Sequence, residues 1–568
     1  MSDHRRWADS DAGARFRRTA STALDVLLEL DPAEATALGD HRFDDRLADR
    51  SRTGAATCLV ELSSAIGALD DLDDTAMGGQ DVVDLEMLRG RLTALQWSLT
   101  DLAEHTWNPL VHLPGEAVHA LVARDTGEPD ARADALVARL TAVPASLASA
   151  RDTLGEMPRV HVETAIGQAR GAVALLGDPV DGLLERAPRA RSAVDDARTA
   201  AAAALEGHAR WLTDQLPGAD RSPRLRPDAY AARLWAALDT ETGPDALLTR
   251  AESDLMAIEE QLAEVTGRLA PLLGVDAPPG GRVRAVMDVV AQRAPTTDAD
   301  VIEQCVRHLD NLTDLVRRHD LVTVPDDLAA STRVIEMPEV NRGVAVAYCD
   351  PPGALEPGGP HTTFFAVSPT PRDWSPDQVA SFYREYNGHM LRDLTAHEAM
   401  PGHVLQLAHA RRFRGSTPVR AALSSGTFVE GWAVYAEQLV ADAVESDAPG
   451  DVASLCLRLQ QLKMRLRCTI NAILDVRVHT RAMTEAEALA LMCERGHQEA
   501  GEAAGKWRRA LLTSAQLSTY YVGFGEVSGL ARDLAAARPG VSLRAVHDEL
   551  LSHGSPAPRL LRGLLDLE

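Results

Sequence analysis

The sequence predicts a mainly α-helical protein, on the basis of three observations. Apolar residues recur at i, i+3, i+4 and i+7 through long segments, helix-start signals stand where such segments begin, and strand-like segments are few. The periodicity predicts helices over Leu247–Gly274, Val194–Leu216, Asp298–Val322, Val452–Ile473 and Glu485–Arg495. The first of these ends at a glycine, as helices often do.

Two helix starts and two strands can be placed more closely. Ser375 is an N-cap candidate that precedes a proline, and Thr484–Glu487 has the residues of a capping box. The best strand candidates are Arg342–Asp350 and His361–Pro369, which are separated by a loop rich in proline and glycine. They predict a small hairpin or sheet that either pairs its edge with an extended peptide or only covers the core.

The helical pattern is interrupted at residues 216–227 and 273–282, where proline and glycine cluster. The coarse division predicted from the sequence is an N-terminal helical region, residues 1–325, followed by a catalytic region, residues 326–568. The two regions can also pack as one body.

Composition and charge exclude several classes of partner. The formal net charge of −25 over 568 residues argues against nucleic acid or an anionic membrane surface, because phosphate binding requires clustered basic residues. The sequence contains no apolar run of about 18 residues, so no membrane span is predicted. The N-terminus lacks the apolar segment of a secretion signal, so a cytoplasmic location is expected. The six cysteines show no C-x-x-C spacing, which predicts neither a disulfide framework nor a thiolate metal site.

Two histidines, His397 and His403, stand six residues apart in the segment HEAMPGH. On an unbroken helix, six residues turn through about 600°, which leaves the two rings about 240° apart around the axis. Pro401 and Gly402 lie between them, and proline removes a backbone donor while glycine tolerates unusual dihedral angles. A break there would restore roughly the orientation that metal ligands have at i and i+4. The sequence therefore predicts a helix broken at Pro401–Gly402 if both histidines bind one metal.

A catalytic zinc ion takes three protein ligands and keeps an open position. The segment Thr427–Leu439 offers Glu430 and Glu437, which are seven residues apart and so share one helix face. Glu430 is the better ligand candidate, and Glu437 is expected behind the ligands or paired with an arginine. Zinc is preferred over manganese or cobalt for such a donor set. The alternative, a His and a Glu that cap or bridge neighbouring helices, stays open on the residues alone.

The segments HEAMPGHVLQ and EGWAVYAE together resemble the signature of a bacterial family known as domain of unknown function 885, HEA-x-PGH followed by EGWA-x-Y-x-E. The resemblance covers most of the chain. Asp31–Leu47 is similar to the family's N-terminal A-T-x-x-G-x-H-x-x-D segment, and Asp475–Thr484 and Gln516–Phe524 are similar to its C-terminal blocks. One departure is Arg477, which stands where the family commonly has glycine. The family resembles helical zinc metallopeptidases, among them angiotensin-converting enzyme, thimet oligopeptidase and the thermostable carboxypeptidases.

This resemblance implies one zinc ion per chain, held by His397, His403 and Glu430. It also implies that Glu398 is the general base, which takes a proton from a water activated by the ion and passes it to the leaving amine. The fold implied is a large multi-helix structure with a deep cleft, which would favour short, flexible substrates.

The oxyanion of the tetrahedral intermediate also needs a donor. Tyr520, which begins YYVG as the family's Tyr-x-x-Gly does, is the first choice, with Tyr521 as the fallback near the substrate and His479 as a second donor. Arg477 could hold a substrate carboxylate with two hydrogen bonds, which would suit a carboxypeptidase or dipeptidase. The structural alternatives are a packed aromatic residue, a satisfied histidine and a solvated arginine. His41, in the N-terminal block, is expected to pack a helix end and is left out of the site.

The whole sequence thus predicts a zinc metallohydrolase that cleaves amide bonds of short peptides. One alternative is an enzyme of the same fold that acts on a non-peptide amide or a small metabolite. A second alternative is a helical binding protein that has lost catalysis. The presence of Glu398 argues against the second, because a metal-binding relic needs no base beside its first ligand.

Overall fold

The computed structural model describes residues 11–124, 127–338, 342, 346–357 and 362–567. The predicted fold class is confirmed, because the protein is mainly α-helical and its strands form a small sheet. Residues 1–10, on which the expectation about a secretion signal partly rests, lie outside the described residues. Within the described ranges, no helix combines the length and the apolar character needed to cross a bilayer.

The helices of residues 11–224 are α1 Asp11–Leu30, α2 Pro32–Leu38, α3 Arg52–Asp70, α4 Gly79–Trp97, α5 Gly115–Val122, α6 Pro129–Thr153, α7 Arg159–Leu175, α8 Asp178–Arg186 and α9 Arg191–Gln215. The later helices are α10 Pro227–Leu238, α11 Pro244–Leu273, α12 Pro279–Arg293, α13 Val301–Arg318, α14 Pro376–Glu385, α15 Gly388–Glu398, α16 His403–Ala410, α17 Val419–Ala422, α18 Gly426–Asp447, α19 Val452–Thr480, α20 Glu485–Ala490, α21 Ala500–Leu512, α22 Thr519–Ala537, α23 Leu543–Leu551 and α24 Pro558–Leu564. Five-residue π-helical segments continue α4 at Ser98–Leu102 and α20 at Leu491–Arg495.

The chain forms two compact units. The first comprises Met1–Arg224, Pro352–Gly358 and Gly415–Leu423, and the second comprises Leu225–Pro351, Gly359–Arg414 and Ser424–Glu568. The main boundary therefore falls after residue 224 and not at the predicted residue 325. The physical reason is that α11 buries its apolar face, including Leu255 and Leu262, in one core with Leu459 and Leu466 of α19. This burial makes α11 part of the unit that holds the candidate metal centre.

Local signals account for several helix ends. Ser375 and Gln378 form the predicted capping box at the start of α14, and Thr484 and Glu487 form a second box at the start of α20. The predicted end of α11 is also confirmed, because Gly274 adopts a left-handed conformation with φ 72°. The other periodic segments lie on α9, α13, α19 and α20, and α19 continues past the predicted end.

The sheet has three strands in the order β1 Thr332–Glu336, β3 Thr363–Val367 and β2 Ala347–Asp350. Strands β2 and β3 are antiparallel and lie within the two predicted strand segments. Strand β1 runs parallel to β3 and was not predicted. Predicted strand residues 343–345 and 361, and loop residues 358–360, lie outside the described residues. Strand β2 therefore stands at one edge of the sheet, and that position matters for the site below.

Two buried histidines of the first unit predict that acid destabilises the protein. Burial lowers the pKa of His161 and of His208 to about 4, and neither ring nitrogen of His208 has a hydrogen-bond partner. The folded state keeps both rings neutral, whereas the unfolded chain takes up protons below a pH of about 6.5. Stability is therefore lost as the pH falls from about 6.5 to about 4, by up to about 3 kcal/mol for each ring.

The measurement is denaturant unfolding at pH 7 and pH 5 for the unmodified protein and for His208→Leu. We expect the variant to lose less stability than the unmodified protein between the two pH values, because it has one titrating ring fewer. His119→Gln, at an exposed histidine, is the control and should keep the original pH dependence. Identical losses in all three proteins would contradict the prediction.

Candidate metal centre

The helix that carries the HEAMPGH motif is broken at the predicted place. Helix α15 ends at Glu398 and α16 begins at His403, so that Pro401 and Gly402 lie in the break. A Cβ atom on Gly402 would stand 2.5 Å from the carbonyl carbon of His397 and would overlap its oxygen. The break therefore folds back onto the last turn of α15, and only glycine leaves room for this approach.

Hydrogen bonds from the surrounding backbone and from α18 hold the break. The indole Nε1 of Trp432 donates to the carbonyl oxygen of Pro401 at 2.9 Å. The amides of Ala399 and Met400 both donate to the carbonyl oxygen of Thr395 at 3.0 Å. Trp432 is fully buried, so the tryptophan of the EGWA segment fixes the position of the Pro-Gly turn.

The fold brings together the three side chains that were predicted as metal ligands. His397 Nε2 lies 3.4 Å from Glu430 Oε2, and His403 Nε2 lies 3.5 Å from the same oxygen. One ligand atom from each of these residues lies within 4.8 Å of the others. The two imidazole rings stand nearly perpendicular, with their centroids 4.9 Å apart. Across the described part of the chain, no other set of three His, Cys, Asp or Glu side chains meets this spacing.

Glu437 lies behind the ligands, as the sequence predicted. Its Oε1 is 2.7 Å from His397 Nδ1, on the ring side opposite Glu430. A carboxylate in this position fixes the orientation of the ring and leaves Nε2 for a metal. Asp393, one turn before His397, was missed by the sequence analysis, although both of its carboxylate oxygens are buried without a hydrogen-bond partner. Burial, and then the charge of Glu437, raise the pKa of Asp393 well above its ordinary value.

The electrostatics of this cluster suit a cation. Burial acts to lower the pKa of His397, but the neighbouring carboxylates of Glu430 and Glu437 outweigh it and raise that pKa well above the ordinary value. Burial acts to raise the pKa of Glu430, but His397 and His403 outweigh it and hold that pKa far below its usual range. Glu430 Oε2 is a buried atom without a hydrogen-bond partner. Two imidazoles and a carboxylate are a donor set that zinc accepts, so these residues fit the ion that the sequence implied.

Glu398 follows the first ligand directly and is itself held in place. It is 9% exposed, and its Oε2 accepts a hydrogen bond from the backbone amide of Cys349 at 3.1 Å. Cys349 belongs to β2, the edge strand of the sheet. The amide fixes one carboxylate oxygen of Glu398, Oε2. This partner could not be found from the sequence, because a backbone amide carries no residue signature.

Helices α18 and α22 cross at Gly431 and Gly523, which face each other. A Cβ atom on Gly431 would stand 2.7 Å from the Cα of Gly523, and a Cβ on Gly523 would stand 2.8 Å from the Cα of Gly431. Glu430 precedes the crossing by one residue and Tyr520 precedes it by three. Burial and then the charge of Glu430 raise the pKa of the Tyr520 hydroxyl. The close crossing at Gly523 brings the part of α22 that carries Tyr520 next to the part of α18 that carries Glu430.

Replacing Gly523 by alanine is expected to separate the two helices. The added methyl group meets backbone atoms that cannot rotate away, so we expect a loss of about 2 kcal/mol or more of unfolding free energy. Gly529→Ala, on the same helix, is the control, since the nearest heavy atom to its Cβ is 3.7 Å away. Denaturant unfolding of both variants measures the effect. Equal stability of the two variants would contradict the close crossing.

The remaining predicted site residues lie elsewhere. The hydroxyl of Tyr521 donates to Asp254 Oδ2 at 2.6 Å, so it faces α11 and is already paired. Arg477 forms an ion pair with Glu252 at 2.6 Å, which compensates the charge that was expected to bind a substrate carboxylate. Tyr521 and Arg477 thus both have partners on α11, and their substrate-binding roles stay predictions.

His479 also has partners in the structure, and its role as a second oxyanion donor stays a prediction. Its Nδ1 lies 3.1 Å from the amide of Leu225 and its Nε2 lies 3.0 Å from the carbonyl oxygen of Thr513, so both nitrogens have backbone partners. The carboxylate of Asp475, in the same block, accepts hydrogen bonds from Ser518 N and Oγ at 3.1 and 2.8 Å. Asp475 and His479 therefore hold the chain just before α22, the helix that carries Tyr520.

The fold and this cluster define a helical protein with a candidate metal centre at a broken helix. The chain belongs to the family described as bacterial protein of unknown function (DUF885), whose model matches residues 32–565. The resemblance seen in the motifs is thus confirmed over nearly the whole chain. No curated protein matches the sequence.

Two solved structures share the fold. One, described as "a putative lipoprotein of unknown function from Shewanella oneidensis", is 25% identical, with a TM-score of 0.83 over 97% of this chain and 99% of its own. The other, "the putative lipoprotein from Colwellia psychrerythraea", is 15% identical, with a TM-score of 0.78 over the same shares. The word lipoprotein describes those two proteins, and the cytoplasmic location expected for this chain stays a prediction.

Proposed function

We propose that this protein is a zinc-dependent metallohydrolase that cleaves amide bonds of short peptides. The observation that supports the proposal most is the convergence of His397, His403 and Glu430 from both sides of a broken helix, with Glu398 beside the first ligand. A structural metal site needs a fourth protein ligand, whereas three ligands leave one position for water and substrate.

A zinc ion, when bound, polarises a carbonyl group and makes a water molecule acidic enough to lose a proton near neutral pH. Glu398 takes that proton on Oε1 and delivers it to the leaving amine, while the amide of Cys349 keeps the carboxylate from rotating. Glu437 holds the ring of His397 in the orientation that presents Nε2. Tyr520 is the donor assigned to the developing oxyanion.

Strand β2 lies at the edge of the sheet in the described part of the chain, and its Cys349 lies directly beside Glu398. Pairing of this edge with an extended peptide stays a prediction, because the amide of Cys349 already donates to the Glu398 carboxylate. The narrower expectation of a carboxypeptidase or dipeptidase depends on Arg477, which is paired with Glu252, and it stays a prediction.

The test compares hydrolysis by the zinc-loaded protein and by Glu398→Gln, against a panel of two- to five-residue peptides followed by mass spectrometry. We expect turnover by the unmodified protein and a loss of at least about 100-fold in the variant, with bound zinc unchanged. Glu494→Gln, at an exposed glutamate, is the control and should keep full activity.

Three other outcomes discriminate among the alternatives. Hydrolysis of simple N-acyl amides without any peptide turnover would favour the non-peptide enzyme. Zinc binding without turnover of any amide would favour the binding protein. Turnover that Glu398→Gln leaves intact would remove the mechanism.

A further inference from the structure

Two residues of the N-terminal motif A-T-x-x-G-x-H-x-x-D, Gly39 and His41, meet a segment far away in the chain, and Thr36 and Asp44 support His41. His41 Nδ1 lies 2.8 Å from Asp44 Oδ2, and His41 Nε2 lies 3.2 Å from Glu356 Oε2. The second oxygen of Asp44 accepts a hydrogen bond from Thr36 Oγ1 at 2.6 Å. Glu356 is 315 residues from His41 in sequence, and its side chain is 6% exposed. The role expected for His41, packing of a helix end, explains the contacts among Thr36, Asp44 and His41. It does not explain the contact with Glu356.

The backbones of the two segments are in direct contact. The amide of Leu355 donates to the carbonyl oxygen of Leu38 at 2.7 Å. Gly39 has φ 89°, and a Cβ atom there would lie 2.5 Å from the Cα of Glu356. A Cβ atom on Gly353 would lie 2.5 Å from the carbonyl carbon of Leu38. Each segment thus places a glycine where the other backbone passes, so the contact is specified from both sides.

The charges around His41 favour its hydrogen bonds to Asp44 and Glu356. The imidazole stands between two largely buried carboxylates, those of Asp44 and Glu356, whose side chains are 11% and 6% exposed. The hydrogen bond to Asp44 raises the pKa of His41, and Glu356 adds to this against the opposing effect of burial. A protonated His41 can donate to both carboxylates at once and compensate their charge.

The segment that contains Glu356 leads directly to the candidate active site. Residues 352–356, called the strap below, follow β2 in the chain. Cys349, whose amide holds Glu398, precedes the strap by three residues. Pro351 and Pro352 join the two, and consecutive prolines form a stiff connection because each fixes its own φ. The two prolines leave little flexible chain between the strap and β2 in which a displacement could be absorbed.

We propose that Thr36, Gly39, His41 and Asp44 fasten the strap, and that His41 is thereby a positioning residue for the Cys349 amide and the Glu398 carboxylate. The fastening of the strap does not depend on the proposed function, but the importance of the Glu398 position for catalysis does. The motif lies about 350 residues before the proposed metal ligands, so its place in the sequence does not suggest this role.

The test is hydrogen–deuterium exchange at single-amide resolution, by mass spectrometry with fragmentation, on His41→Phe, Glu356→Gln and the unmodified full chain. In both variants we expect the amides of Leu355 and Cys349 to exchange about tenfold faster, because the strap opens more often. Arg42→Ala is the matched control, since Arg42 lies in the same motif but pairs with Asp25 and Asp40 at the surface. Its exchange should equal that of the unmodified protein.

The outcomes separate the two parts of the proposal. Faster exchange at Leu355 with unchanged exchange at Cys349 would overturn the positioning role, and unchanged exchange at both amides would overturn the fastening. If His41→Phe does not fold, Glu356→Gln decides, because it keeps the shape of the side chain and removes only its charge. Zinc content of the same samples tests the proposed function separately, and absence of zinc would leave the exchange result valid.

Discussion

Glu430→Ala loses the bound metal. We expect about one zinc ion per chain in the unmodified protein, and less than about a tenth of that in the variant, because only two of three protein ligands are left. Glu430 Oε2 is the atom that both His397 Nε2 and His403 Nε2 approach within 3.5 Å. The measurement is elemental mass spectrometry on protein purified without added metal.

The control for Glu430→Ala is a glutamate on the same helix. Glu445 of α18 pairs with Arg458 at 3.3 Å and with Arg268 at 3.6 Å, about four turns from Glu430. Glu445→Ala should keep its zinc. His403→Ala should behave like Glu430→Ala, since it also removes one ligand. Full zinc content in either ligand variant would contradict the ligand set.

Gly402→Ala is expected to disrupt both the metal centre and the folded state. The methyl group would overlap the carbonyl oxygen of His397 and stand 2.5 Å from its carbon. The turn must then move away from α15 and take His403 with it, while the hydrogen bond from Trp432 to Pro401 is lost. We expect a loss of about 3 kcal/mol of unfolding free energy and at least about tenfold weaker zinc binding.

Denaturant unfolding and zinc titration measure the two effects of Gly402→Ala. Gly426→Ala is the control, because the nearest heavy atom to its Cβ, Cγ2 of Thr519, is 3.9 Å away. That variant should bind zinc normally and stay within about 0.5 kcal/mol of the unmodified stability. Unchanged zinc affinity in Gly402→Ala would show that the break does not set the ligand geometry.

The cluster of His397, His403 and Glu430 could be predicted because its signals are local. Six-residue spacing cannot place two histidines on one side of an unbroken helix, so Pro401 and Gly402 had to break it. Glu430 and Glu437 were recognised by their shared helix face. The environment of these residues could not be predicted, since Cys349 contributes a backbone amide and Asp393 is defined by its burial. Both properties depend on tertiary packing.

The contacts that the sequence did not predict have a common cause. His479 and Arg477 lie on α19 near residues that matter, but a motif does not tell which neighbour a side chain will meet. Tyr520 and Tyr521 are adjacent, and successive residues on a helix point about 100° apart, so only one of them can face the ligands. The domain boundary was misplaced because α11 packs against α19, which follows it by nearly two hundred residues, and periodicity does not reveal such a partner.

The central claim is that His397, His403 and Glu430 hold one catalytic zinc ion, and X-ray absorption at the zinc edge of the unmodified protein tests it most directly. We predict a shell of nitrogen and oxygen ligands at about 2.0–2.2 Å with the outer scattering of two imidazole rings. Protein without zinc, a shell that contains sulfur at about 2.3 Å, or a shell without two imidazoles would contradict the claim.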